Sequence, residues 1–172
     1  MKISRNIRRL TIVVHTAASV GWLGAAVILL VLTSGVVTGD LEPAAAYPAA
    51  ARIGTMVVVP LSLLALLTGL VLALGTHWGV FRHWWVTVKL ATTALMTVLV
   101  LGLLMPALRT AADTGAALPP DEQSGLMIGP SVSSGLLMLN LVLSVYRPGR
   151  SRAGRRPARQ GALVGAAPAR SR

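Results

Sequence analysis

A chain of 172 residues that is 54% hydrophobic and only 12% charged, with a mean hydropathy of +0.71, carries too little charge to cover itself as a soluble domain and falls in the membrane class. The absence of cysteine excludes disulfides, thiolate metal ligands and thiol catalysis. A formal charge of +11 suggests nucleic acid at first sight, but the basic residues crowd the two ends, four in the first nine positions and eight in the last 26.

In chain order, residues 1–9 form a basic N-terminus holding Lys2, Arg5, Arg8 and Arg9. A membrane span needs about 20 apolar residues, because the hydrocarbon core is about 30 Å thick and a helix rises about 1.5 Å per residue. Four stretches qualify: about 10–32, 54–74, 84–106 and 125–146. The first, at about 23 residues, is longer than the roughly 7–15 of a secretory signal and reads as a retained span. "SGVVTGDLEPAAAYPAA" separates the first two spans, "GTHWGVFRH" the second and third, and "TAADTGAALPPDEQS" the last two. All three segments carry turn residues or charge. Pro60 is expected to kink the second span, and Pro130 to fall in the first turns of the fourth, where a proline costs little. The predicted fold is all-α: a four-transmembrane-helix bundle over residues 10–146, followed by an arginine-rich, disordered tail over 147–172.

Charge sets the predicted orientation. With both termini in the cytoplasm, Lys2, Arg5, Arg8, Arg9, Arg82, Lys89 and eight tail arginines lie inside, and only Arg52 and Arg109 lie outside. The acids Asp40, Glu42, Asp113, Asp121 and Glu122 all fall outside. This is the distribution of a multi-pass plasma-membrane protein. Trp78, Phe81, Trp84 and Trp85 then sit at the inner interface. The tail is suited to anionic headgroups, each basic residue contributing about 1 kcal/mol near such a surface. Without aromatic or motif context, nucleic acid is not expected as a partner.

Within the spans the ionisable residues are His15 and Lys89. By helical spacing, His15, Ser19 and Trp22 share one face, while Ala17, Gly21 and Gly24 lie opposite, with Ala17, Gly21 and Ala25 forming a small-residue series suited to close helix contact. Counted from the cytoplasmic ends, His15, Lys89, Thr68 and Asn140 all lie about 8–9 Å deep, so a polar layer contributed by all four helices is expected on the inner half. Ionisable groups at such depth face the bundle interior and are functional candidates. Each also has a simpler role. Lys89 can snorkel to the interface, Thr68 and Asn140 can join helices, and His15 can hydrogen-bond a neighbouring carbonyl or hydroxyl. No carboxylate lies within a span, and no phosphate-binding fingerprint occurs.

"HTAASVGWLGA" has the spacing H-x6-W-x-G, and "HWWVTVKL" has W-x3-K-L at the start of the third span. With "VPLSLLALLTGL" and the "LMP" that closes the third span, these resemble an uncharacterised family of small actinobacterial four-span integral membrane proteins, over about residues 8–146. That family is in turn similar to the copper-resistance D membrane domain and to HemJ-type protoporphyrinogen oxidase. The second resemblance implies a haem b held by His15 as axial ligand, with Lys89 as its companion and Trp22 beside it. Helices two to four carry no deep histidine, so a second nitrogen would have to come from His77 or His83 near the inner surface. The copper resemblance implies a thioether site from Met56, Met105 and Met127, near the outer ends of three different helices. Methionine is also a common filler of apolar gaps.

Two functional expectations therefore stand. One is a non-enzymatic membrane component with a structural polar layer, meeting lipid, a membrane partner or a second copy of itself. The other is a haem- or tetrapyrrole-binding redox protein centred on His15 and Lys89.

Overall fold

The computed structural model describes residues 4–75 and 84–146, with side chains described over 4–74 and 86–144. These residues are helical apart from short connections, and four helices are long and apolar enough to cross a membrane. The first span is one helix, α1 (Arg5–Thr38). The second comprises α2 (Pro43–Ile53), a π turn (Gly54–Val58) and α3 (Val59–Gly75). The third comprises α4 (Trp84–Leu99), a π turn (Val100–Leu104) and α5 (Met105–Thr114). The fourth is α6 (Pro120–Tyr146).

The helices run well past the apolar stretches. At 34 residues α1 is about 51 Å long, so its ends stand beyond a hydrocarbon core of about 30 Å. The segment "PAAAYPAA" is helix, because Pro43 occupies a first-turn position where its missing N–H is no loss. The break between the first two spans is confined to four residues. Gly39 adopts φ 82°, which glycine reaches without Cβ strain. Asp40 and Leu41 both donate to the Gly35 carbonyl, at 2.8 and 2.9 Å, which together with the Gly39 N–H closes the helix end.

The prolines act through the helix, and their positions explain both π turns. The turn at Gly54–Val58 ends two residues before Pro60, and the turn at Val100–Leu104 ends two residues before Pro106. A proline ring clashes with the carbonyl four residues back. Widening that turn to an i→i+5 bond, as Val59 makes to Gly54 and Met105 to Val100, takes up the clash without ending the span. Pro130 differs from expectation: α6 begins at Pro120, so Pro130 lies ten residues inside the helix and is fully buried. An apolar environment tolerates such a proline where neighbouring helices surround it.

The first span packs along both α3 and α6, and α2 packs against α5 and the short turn that follows it. The linkers 39–42 and 115–119 therefore share one end of the bundle, with the start of α1 and the close of α6 at the other. The third and fourth spans meet more sparingly. The core runs from Trp22, Ala25, Ala26 and Leu29 on α1 through Tyr47, Val58 and Ala65 to Val100, Leu108 and Leu137. Three of its buried hydroxyls bond within their own helices, Thr33 to the Leu29 carbonyl (3.0 Å), Ser62 to Val59 (2.8 Å) and Thr97 to Thr93 (2.9 Å), while Ser133 reaches across to Met96 Sδ at 4.0 Å. Such bonds spare the apolar interior an unpaired polar group.

Candidate functional site

The polar residues toward the end of the bundle where α1 starts form two hydrogen-bonded clusters, each joining a pair of spans. In the first, His15 Nδ1 lies 3.0 Å from the Ala65 carbonyl and 3.0 Å from Thr68 Oγ1. The Thr68 hydroxyl donates to the Leu64 carbonyl at 2.6 Å, so toward the imidazole it is an acceptor. Both partners of Nδ1 are thus acceptors, and Nδ1 carries the proton. The lone pair falls to Nε2. Gly69 lets the ring approach, since a Cβ there would stand 3.2 Å from His15 Cε1. The Ser19 hydroxyl donates back to the His15 carbonyl at 2.8 Å.

The second cluster joins the third and fourth spans. Lys89 Nζ donates to Ser144 Oγ, and Ser144 donates to the Asn140 carbonyl at 2.9 Å. Asn140 Nδ2 donates to Thr92 Oγ1 at 3.2 Å, and Thr92 donates to the Val88 and Lys89 carbonyls at 2.9 and 3.0 Å. The pairings within the layer are thus His15 with Thr68 and Asn140 with Thr92. Lys89 is tied to α6 through Ser144.

Ser144 and Thr92 escaped the sequence reading, although Ser144 stands four residues after Asn140 and Thr92 three after Lys89, spacings that place each pair on one helix face. The Ala65 carbonyl carried no sequence signal at all, because a helical carbonyl becomes available to a partner only through the geometry of close approach.

Trp22 is completely buried in the core, so the face it shares with His15 is the packing face of α1. Of the small residues expected on the contact side, Ala25 is in the core and Gly21 faces α3, where a Cβ would stand 3.1 Å from Leu61 Cδ1, while Ala17 and Gly24 are exposed. The reason is size: the indole fills the space between helices that small residues would leave open. Trp22 Nε1 and Tyr47 Oη are buried without hydrogen-bond partners.

The three methionines of the expected thioether site have different surroundings. Met56 is 68% exposed, Met127 is half-buried, and Met105 is buried against Gly54, where a Cβ would lie 2.9 Å from its sulfur. Among the described residues no cluster of three or more histidine and carboxylate side chains is placed to hold a metal ion. His77, His83, Trp78, Phe81, Arg82, the side chains of Trp84 and Trp85, and the tail 147–172 lie outside the described residues. Protein-family models, curated proteins and solved structures give no match to this chain.

Proposed function

We propose that this chain is a non-enzymatic four-span component of the plasma membrane, with both termini cytoplasmic, in which the inner polar residues clasp helices together. The observation that carries the reading is that His15, Asn140 and Lys89 each make a hydrogen bond to a neighbouring span. Polar groups that bridge helices in lipid in this way add to association. The orientation is supported by charge. Asp40, Glu42, Asp113, Asp121 and Glu122 collect at the end that holds both short linkers, and Arg5, Arg8 and Arg9 stand at the opposite end, where α1 starts. The basic N-terminus and tail then meet anionic headgroups of the inner leaflet.

The clasp is tested by a double-mutant cycle of His15→Ala and Thr68→Val, followed by unfolding in mixed micelles. A coupling of about 0.6 kcal/mol is expected, the average for interhelical hydrogen bonds in membranes. It stays modest because the Ala65 carbonyl remains an acceptor when the hydroxyl is gone. Additivity of the two substitutions would contradict the clasp.

A second reading, haem b held by His15 with Lys89 pairing a propionate, draws support from the imidazole tautomer. A proton fixed on Nδ1 by a carbonyl leaves Nε2 directed as in metal-bound histidines. The donor set fits this group incompletely. Among the described residues no second imidazole stands beside His15, and Met56, Met105 and Met127 belong to the outer half. The cleft between the third and fourth spans contains no histidine. The copper reading has less support, since Met56 and Met105 sit in opposite environments.

A further inference from the structure

The third and fourth spans part over their outer halves and leave a cleft of about 600 Å³ between them. One wall is built by Leu103 and Leu104 beside the π turn, the other by Glu122, Gly125, Gly129 and Ser133 of α6. These α6 positions follow one helical stripe. The two glycines differ. A Cβ at Gly129 would stand 3.1 Å from Leu104, so the spans touch there, while a Cβ at Gly125 would meet nothing within 4 Å. The rim is open and apolar, with Leu103 and Ile128 each 65% exposed.

We propose that this cleft binds one acyl chain of an outer-leaflet phospholipid whose head carries a primary ammonium, seated on Glu122. The proposal rests on the membrane reading above. Three observations select this occupant. From Glu122 to Ser133 the stripe rises about 16 Å, which matches one leaflet of a hydrocarbon core about 30 Å thick, so the cleft is one lipid chain long. Its lining is apolar except at the ends, and the headgroup end carries the exposed carboxylate of Glu122 with Asp121 beside it, which favours a zwitterionic head that offers an ammonium over a purely anionic one. The glycine at 125 keeps the cleft wide without serving a helix contact.

The chain has no cysteine, so single reporters can be placed in the full-length protein. Ile128→Cys at the rim and Leu67→Cys on the exposed face of α3 (60% exposed) are each labelled with a fluorophore. Each is reconstituted in phosphatidylglycerol vesicles and titrated with bromine-labelled phosphatidylethanolamine or bromine-labelled phosphatidylglycerol. Quenching at Ile128 is expected at about a fivefold lower mole fraction of the ethanolamine lipid than of the glycerol lipid, the preference one charge–headgroup contact supplies. Leu67 is expected to respond to both alike. Gly125→Leu should raise the Ile128 response to the Leu67 level, and Glu122→Gln should remove the headgroup preference while chain quenching persists. Identical curves at the two sites, unmoved by Gly125→Leu, would overturn the proposal. So would fluorophore self-quenching at Ile128 in place of lipid quenching, which would put a second copy in the cleft. Quenching absent at Leu67 as well would instead refute the membrane reading itself.

Discussion

Trp22→Ala is expected to destabilise the bundle by about 3–5 kcal/mol, the range for removing a large aromatic from a packed core. Trp22 is wholly buried, together with Ala18, Ala25, Ala26 and Leu29 of the same helix. That face of α1 is the one through which the first span meets the rest of the bundle. Lipid tails are as apolar as the protein interior, so in a membrane these contacts hold the helices by close packing, and a cavity forfeits them outright. The same site makes a contrasting prediction. Because Trp22 Nε1 is buried without a partner, Trp22→Phe loses ring contacts but removes an unpaired N–H, and the net cost should stay below about 1.5 kcal/mol. Unfolding midpoints in mixed micelles check both. A phenylalanine variant as unstable as the alanine one would mean that the indole N–H has a partner.

The second large effect is expected at Gly54→Leu. Gly54 opens the π turn of the second span and lies under Met105, which opens α5, with Leu108 next to it. A Cβ at this position would stand 2.9 Å from the Met105 sulfur and 3.5 Å from Leu108 Cδ1. The end of a methionine is flexible and can move aside for a single methyl, so Gly54→Ala should be mild. A leucine cannot be accommodated without parting α2 from α5, and overpacking of this kind costs about 1–3 kcal/mol. Met105→Ala should relieve the leucine, so the pair of substitutions together should cost less than the sum of the two alone. Strict additivity would place Met105 elsewhere.

Much of the architecture was legible in the sequence. The four apolar runs are long enough to demand membrane-crossing helices, and no competing period fits them. Their ends were less legible because helix propensity and hydropathy diverge at the end of the bundle that holds the two short linkers. "AAAYPAAARI" is a good helix former after a first-turn proline but too mixed to register as a span, and "ALRT" extends α5 beyond its apolar stretch for the same reason. Pro60 announced a disturbance in the second span. It did not announce a π turn, or that Pro106 would produce the same turn in the third. Around His15, helical spacing supplied the depth of the polar groups. Rotation was legible only in part: Gly21 does meet Leu61 of α3, but the packing face of α1 is centred on Trp22, whose volume lies inside. The carbonyl that holds His15 belongs to Ala65, a residue whose side chain has nothing to say about hydrogen bonding.

The central claim is that His15 serves as a hydrogen-bonding post between the first two spans and not as an iron ligand. The most direct measurement is an absorption spectrum of the detergent-purified protein made in haem-sufficient cells, oxidised and dithionite-reduced, beside His15→Ala. The structural reading predicts a colourless wild type whose spectrum matches that of the variant. A Soret band that sharpens on reduction and disappears with His15→Ala would contradict it and make His15 an iron ligand.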